Sequence, residues 1–386
     1  MSGTSKSTIC PKYVALDTSS WIDLFKRKAD PESKDVIAAL NSTQIVPYLT
    51  FDHVLELLQG DDEKTRMEQL EFFVELQLVG YPDHFPDPPW KNSPICASYL
   101  DVQEAEISAL LKDPSLTLEQ VLEQARPLAV AGFKSGRAIA YDPVFRDIAR
   151  SGRATQIVQL NKAAASMIHS SPQNPDEVMP EAGNYTMLDQ QSAEQLKPQL
   201  VSRLAQQLKD FGDPGLQNID QLAARVVDLS FQQVMPNYNP SAADPFREMV
   251  SAFIGVDLNR LPSPTTAEDF VLETLYRGRM ALHEMRMRLP NGTAYRAIRR
   301  ERLPSMVTWF ALEEANKSSQ PTAQGGNMLD FPLAALAFYI DKVQVDKRVL
   351  NHAEIAARKN PFLKGIRVNL FRSKDLKDLL SILNSL

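Results

Sequence analysis

The sequence predicts an α/β fold in which a parallel sheet with helices on its faces is split by a large all-α insertion. Short apolar segments alternate with helix-like segments in residues 13–89, and the same alternation returns in residues 326–386. Between them, residues 90–325 show helical periodicity without a strand pattern of comparable quality. Because strands that alternate with helices usually form a parallel sheet, we expect the two ends of the chain to build one discontinuous domain.

The N-terminal part supplies the first strands. Residues 1–12 are mostly small and polar, which predicts a flexible tail. Strand patterns follow over residues 13–17, 44–50 and 76–81. Helices are predicted over residues 20–28, 33–40, 51–60 and 62–76. The first strand stops at Asp17, and the third of these helices carries Glu56 in its second turn.

The middle of the chain has a different character. Four prolines in residues 82–89 interrupt regular structure, and helical periods dominate from residue 99 onward. The polar segment 317–326 suits a linker that returns the chain to the first domain. We therefore expect the insertion to fold as a separate helical layer.

The C-terminal part completes the predicted sheet. The apolar run 331–340 predicts a buried helix with Asp330 at its N-terminus, where a carboxylate suits the helix dipole. A short strand then leads to Asp346, and a helix over residues 351–358, a strand over residues 365–371 and a helix over residues 373–386 follow. Ligands of open α/β sheets bind at the carboxyl ends of the strands, where Asp17 and Asp346 are expected.

Three blocks, in this order, resemble the signature blocks of PIN-domain nucleases. They are LDTSxWIDLF over residues 16–25, LTxxxxxELLxG over residues 49–60 and LDxxLAALAxYxDxxxxDKR over residues 329–348. Members of that family are metal-dependent phosphodiesterases that mostly cut RNA. Their fold is an α/β/α sandwich with a central parallel sheet and a cleft of three or four acids that bind Mg²⁺ or Mn²⁺. The resemblance covers the two ends of the chain and leaves the middle unmatched.

The resemblance implies roles for individual residues. The metal ligands and catalytic acids carry over to Asp17, Glu56, Asp330 and Asp346. Asp341 is a further candidate ligand without a universal family counterpart, because an acid at a helix C-terminus needs a cation or another partner. Candidate contacts to substrate phosphate are Thr18, Ser19, Lys347 and Arg348.

A carboxylate cluster of this kind has an electrostatic explanation. Converging carboxylates repel one another and raise one another's pKa values unless a cation neutralises them. Mg²⁺ and Mn²⁺ prefer carboxylate oxygen and water. A bound ion would polarise the scissile phosphate and activate a water molecule, so no protein nucleophile is needed.

Composition limits the other functions. The net charge of −6 excludes a strongly basic nucleic-acid binder, so contacts must come from local patches such as the arginine-rich segment 277–302. Cys10 and Cys96 are too few for a disulfide framework or a zinc site, and the five histidines show no ligand spacing. The longest apolar run is about half of a membrane span. We predict a cytoplasmic protein without a membrane partner.

Several interpretations stay open at this stage. The first is a metal-dependent endonuclease that cuts RNA, with nucleic acid as its partner. The second is a PIN-like nuclease that acts on DNA in a toxin or anti-phage role. The third is a regulatory PIN-like module whose helical insertion binds a protein partner or another copy of the chain. Each acid also has an ordinary explanation, as a helix cap, a turn residue or a surface ion-pair partner.

Overall fold

The computed structural model describes residues 11–60, 62–80, 100–130, 132–170, 190–211, 215–234, 276, 280, 283, 298–319 and 327–386. Six strands lie in these ranges: β1 (Lys12–Ala15), β2 (Ile45–Pro47), β3 (Val79–Gly80), β4 (Phe133–Lys134), β5 (Lys342–Gln344) and β6 (Leu370–Phe371). Most of the helices precede residue 235: α1 (Thr18–Lys26), α2 (Pro31–Leu40), α3 (Phe51–Leu57), α4 (Glu63–Phe72), α5 (Leu100–Lys112), α6 (Leu118–Ala129), α7 (Gly136–Ala140), α8 (Pro143–Ser151), α9 (Arg153–Ser170), α10 (Gln190–Phe211) and α11 (Ile219–Val234). The later helices are α12 (Pro304–Ser319), α13 (Asn327–Ala335), α14 (Lys347–Lys359), α15 (Lys364–Asn369) and α16 (Leu376–Asn384).

The central sheet confirms an α/β fold. It has four parallel strands in the order β2-β1-β5-β6. From β1 the chain adds β2 on one side, and from β5 it adds β6 on the other side. The strand order therefore reverses between β1 and β5, which is the point where open α/β sheets place their ligands. The discontinuous sheet is also confirmed, because β1 and β5 are neighbours although more than 300 residues separate them.

Two cores lie on opposite faces of this sheet. Successive residues of β1 point to opposite sides: Ala15 belongs to one buried cluster, and Val14 and Leu16 belong to the other. Helices α5, α6 and α12 to α15 supply the first cluster. Helices α1 to α4, α7 to α9 and α16 supply the second. Alternation of this kind requires helices on both faces.

Several described helices of the insertion pack against the sheet and do not form a separate layer. Ile107 of α5 packs in the first core, and Phe145 of α8 packs in the second. The expectation of a separate layer is wrong for these helices, because their apolar faces cover the two faces of the sheet. A small cluster between α9, α10 and α11 contains none of the sheet residues. The domain boundaries themselves stay predictions.

The insertion also contains a strand that the sequence did not reveal. Residues 133–134 form β4, which pairs antiparallel with β3. Gly80 of β3 in turn forms a parallel bridge with Tyr48, just beyond β2. The all-α expectation is therefore wrong at this place. A strand of two residues is too short to produce a recognisable alternation.

The C-terminal strand is much shorter than predicted. Residues 364–369 form helix α15, and only Leu370 and Phe371 pair with β5. The sequence alternates apolar and polar residues, but Val368 is 71% exposed whereas Ile366 is buried. The alternation therefore does not correspond to the two faces of a strand. Arg367 also donates to Glu354 of α14 at 2.9 Å.

Some expected elements end differently or fall outside the described residues. Helix α14 begins at Lys347 rather than at residue 351, and α12 extends to Ser319 into the predicted linker. Residues 82–89 and 320–326 lie outside the described residues, as does most of the arginine-rich segment. Arg302 of that segment donates to backbone carbonyls of Pro114 and Leu116, so it has a structural role. In the described ranges, no helix has the length and apolarity needed to cross a bilayer.

Gly136 joins the insertion to the second core through a very close backbone contact. Its N–H donates to the carbonyl of Leu76 at 3.0 Å. An added Cβ would lie 1.8 Å from the carbonyl oxygen of Phe73. We expect Gly136→Ala to destabilise the fold by about 1–3 kcal/mol or more, because backbone atoms must shift. Thermal melting measures this loss, and Gly60→Ala is the control, because its nearest contact is a movable side-chain atom of Gln69 at 3.3 Å. Equal melting of the two variants would contradict the close contact.

Candidate active site

Asp17 and Asp346 lie at the switch point of the sheet. Asp17 separates β1 from α1, and its Oδ2 accepts a hydrogen bond from Ser19 at 2.6 Å. Asp346 precedes α14 and caps it, because its Oδ1 accepts from the N–H of Val349 at 2.7 Å. Gln344, at the end of β5, links β5 to the end of β1, because its Oε1 accepts from the N–H of Asp17 at 3.2 Å. The strand ends therefore bring the two acids to the same edge.

Glu56 and Asp330 approach the same edge from helices. Helix α3 starts at a capping box, in which Thr50 accepts from the N–H of His53, and Glu56 lies in its second turn. The Thr18 hydroxyl donates to Oε2 of Glu56 at 2.5 Å, which links α1 to α3. Asp330 lies in the first turn of α13, as the sequence predicted. Both acids line a small cavity together with Asp17.

The pKa directions show that these acids interact. Burial is the largest cause that raises the pKa of Glu56 to about 7; the Thr18 hydrogen bond opposes the rise, and repulsion from Asp52 and Asp17 adds to it. Burial also raises the pKa of Asp330 well above its ordinary value. Repulsion from Glu56 adds to that rise. A nearby cation would favour the charged form of both carboxyl groups.

The same repulsion extends to the two strand-end acids. Burial raises the pKa of Asp17, the Ser19 hydroxyl lowers it, and repulsion from Asp346 raises it further. Asp346 and Asp17 also raise the pKa of Asp330. The structure therefore brings together the four acids that the sequence suggested, and each interacts electrostatically with at least one of the others.

A side-chain cation already contacts two of these acids. Nη2 of Arg348 lies 2.8 Å from Oδ2 of Asp330 and 3.5 Å from Oδ2 of Asp346. The Arg348 side chain is 17% exposed, and those of Asp330 and Asp346 are 25% and 45% exposed. Sequence reasoning assigned Arg348 to substrate phosphate. In the structure its guanidinium forms ion pairs with Asp330 and Asp346, and the assignment to phosphate stays a prediction.

Asp52 is a fifth acid that sequence reasoning missed. It lies in the first turn of α3, is 4% exposed, and lines the small cavity with Glu56 and Asp330. Its charge raises the pKa of Glu56. The spacing of four residues between Asp52 and Glu56 was visible, since residues four apart share a helix face. An acid near a helix N-terminus is so common, however, that the pattern did not distinguish Asp52.

A larger cleft of about 650 Å³ opens beside the acids. Asp17 and Asp346 form part of its wall, so it adjoins the acidic group. Its positively charged lining residues are Lys347, Arg348, Arg372 and Lys374. The wall also contains the acids Asp23 and Asp375 and the hydroxyl of Ser19. Arg372 and Lys374 belong to the basic stretch 342–386 that the sequence offered for substrate contact, but it did not single them out, because the loop before α16 has no pattern that places it near α14.

Asp341 is separated from this group. It precedes β5, at the opposite end of the sheet from Asp17, and its Oδ2 accepts from the N–H of Tyr13 at 2.9 Å. Its Oδ1 lies 3.2 Å from Nζ of Lys12. The partner that this acid requires is therefore a lysine of β1, and we leave Asp341 out of the candidate metal ligands.

The donor atoms suit a hard divalent cation, but the ligand set is not closed. Across the described ranges, no three acidic, histidine or cysteine side chains are arranged to hold one metal ion. The chemistry still fits, because the acids offer only carboxylate oxygens and the Arg348 guanidinium shows that the group attracts a cation. Metal binding would require Arg348 to leave and the carboxylates to turn toward one point.

Comparison with known proteins found no matching family model, no matching curated protein and no matching solved structure.

Proposed function

We propose that this protein is a PIN-like metal-dependent nuclease that hydrolyses phosphodiester bonds, with RNA as the substrate that the family resemblance favours. The observation that carries the proposal is the meeting of Asp17, Glu56, Asp330 and Asp346 beside the switch point of a parallel sheet. Four separate elements supply these acids. The adjoining cleft carries Lys347, Arg348, Arg372 and Lys374 beside four acids, and these cations can contact the phosphates of a polyanionic substrate.

Each side chain has a role in this proposal. Asp17, Glu56, Asp330 and Asp346 would hold Mg²⁺ or Mn²⁺. When bound, the ion supplies Lewis acidity toward the phosphate and lowers the pKa of a water molecule. Thr18 orients Glu56 and Ser19 orients Asp17, because each hydroxyl donates to a carboxylate oxygen. Burial raises the pKa of Glu56 to about 7, so its protonated form must lose a proton when the ion binds, and metal affinity should increase as pH rises through about 7.

The direct test is a cleavage assay with matched substrates. Labelled single-stranded RNA and DNA of the same sequence are incubated with the full chain in Mg²⁺, in Mn²⁺ and in EDTA. We expect metal-dependent cleavage of RNA that exceeds cleavage of DNA. Faster cleavage of DNA would favour the DNA-directed alternative. Absence of cleavage of both substrates, together with no metal-dependent change in melting temperature, would overturn the nuclease proposal in favour of a binding module.

The cleft should contribute to substrate affinity through the two basic residues of the loop before α16. Replacing Arg372 and Lys374 together by Gln removes two positive charges, and we expect about tenfold weaker RNA binding and a shallower dependence on salt. Fluorescence anisotropy in EDTA measures both without cleavage. Lys64→Gln is the control, because Lys64 is an exposed α4 lysine that does not line the cleft. Equal effects of the control and the double variant would exclude the cleft as the binding surface.

A further inference from the structure

Arg348 contacts the oxygen atoms that a metal ion would need. Its Nη2 atom lies between Oδ2 of Asp330 and Oδ2 of Asp346, at 2.8 Å and 3.5 Å. Asp330 lies in α13 and Asp346 follows β5, so this single guanidinium joins two elements that carry candidate metal ligands. The contact is mostly shielded, since the Arg348 side chain is 17% exposed.

The guanidinium of arginine keeps its positive charge in proteins, so Arg348 can leave these carboxylates only if its side chain moves. A divalent cation bound to the same carboxylate oxygens would lie close to the guanidinium charge and would be repelled by it. The metal and the guanidinium therefore compete for Asp330 and Asp346. Arg348 also lines the large cleft, so its side chain has a solvent-accessible space beside it.

We propose that Arg348 is a built-in competitor of the metal ion: it pairs with Asp330 and Asp346 in the metal-free protein and is displaced toward the cleft when the ion binds. This inference rests on the proposed function, since it requires a divalent ion at these acids. It explains why the carboxylates meet without forming a closed ligand set. In the metal-free protein, the guanidinium limits the repulsion between acids that would otherwise destabilise the site.

The competition has a measurable consequence. We expect Arg348→Gln to bind Mn²⁺ about tenfold more tightly than the wild type, because metal binding no longer breaks the ion pairs. Arg348→Lys should lie between them, since lysine keeps the charge but lacks the planar fork. The control is Arg372→Gln, which removes a cleft cation that makes no ion pair with these acids among the described contacts. Isothermal titration calorimetry of the full chain with Mn²⁺ measures all four affinities.

Melting curves provide a second readout that a purely structural role would not produce. Without metal, Arg348→Gln should melt below the wild type, because the acids lose their internal counter-charge. With saturating Mn²⁺ the difference should shrink or reverse, since the ion replaces that charge. A structural arginine would instead lower the melting temperature equally with and without Mn²⁺ and leave the Mn²⁺ affinity unchanged.

The possible failures can be distinguished. If the wild type binds Mn²⁺ and Arg348→Gln binds it equally or more weakly, the competition is overturned and the nuclease proposal remains. If neither protein binds Mn²⁺ and the wild type cuts no nucleic acid, both proposals are overturned. If Arg348→Gln does not fold, Arg348→Lys decides, and an affinity equal to that of the wild type overturns the competition.

Discussion

Asp17→Asn and Asp330→Asn are each expected to reduce Mg²⁺- or Mn²⁺-dependent cleavage of RNA by at least about a hundredfold. Each change replaces a carboxylate by an amide of nearly the same shape. The amide is a poorer ligand, and the site also loses one negative charge that attracts a dication. The measurement is single-turnover cleavage of a labelled single-stranded RNA at saturating Mn²⁺.

Neither variant should lose stability when metal is absent. Asp17 is repelled by Asp346, and its own hydrogen-bond donor is Ser19, so Asp17→Asn should keep or raise the melting temperature. Asp330 forms the 2.8 Å ion pair with Arg348, but burial and repulsion from Glu56 raise the pKa of Asp330 more than Arg348 lowers it. We therefore expect Asp330→Asn to melt at least as high as Asp17→Asn in EDTA. Differential scanning fluorimetry is sufficient to compare them.

Asp341→Asn is the matched control for both variants. It makes the same chemical change in the same domain, but Asp341 pairs with Lys12 at the opposite end of the sheet. Its cleavage rate should stay within about twofold of the wild type, since exposed ion pairs contribute little. A loss as large as that of Asp17→Asn would show that the activity depends on general charge or stability rather than on the four acids.

The part of the site that the sequence could predict is the part that follows from strand ends. Asp17 and Asp346 each come directly after a short apolar strand pattern, and parallel strands bring their carboxyl ends to one edge. The roles of Glu56 and Asp330 were implied by the resemblance to the PIN-domain blocks, in which both acids lie in helices next to such strands. Once the sheet forms, the four acids are close enough to repel one another, as the raised pKa values of Glu56 and Asp330 indicate.

The remainder depends on contacts that no local pattern records. The contact of Arg348 with Asp330 depends on how α14 packs beside α13. In the sequence, Arg348 is only the second residue of a Lys-Arg pair at the start of a helix. The inclusion of insertion helices in both cores has the same origin. An amphipathic helix such as α6 shows that it has an apolar face, but the sequence does not say which surface the face covers. In residues 364–369 the local pattern itself was misleading, because the alternation of apolar and polar residues is typical of a strand but the segment forms a helix.

The largest stability effect is expected at Glu106, a fully buried acid that joins the insertion to the rest of the first core. Its carboxylate accepts hydrogen bonds from the N–H of Ser305 at 2.9 Å, from the Ser305 hydroxyl at 2.7 Å and from the Tyr339 hydroxyl. Glu106→Ala would leave these three donors buried without their acceptor. We expect a loss of about 2–4 kcal/mol, measured as a lower melting temperature.

Glu106→Gln separates the effect of the charge from that of the hydrogen bonds. Burial raises the pKa of Glu106 from 4.5 to about 7, against the hydrogen bonds from Tyr339 and Ser305. Because the pKa of Glu106 is higher in the folded state, the stability that the protonated Glu106 contributes is fully present below pH 4.5 and is lost as pH rises through about 7.

Glutamine resembles the protonated acid, because its Oε1 can accept from two donors while its amide donates to the Ser305 hydroxyl. The variant should therefore match the wild type near pH 4.5 and melt higher above pH 7, with a difference of about 3 kcal/mol from the shift. Melting curves from pH 4.5 to above pH 7 provide the test. The control is Glu119→Gln, on the exposed start of α6. If the melting temperatures of wild type and Glu106→Gln change in parallel with pH, the charge of Glu106 is not the cause of the loss of stability.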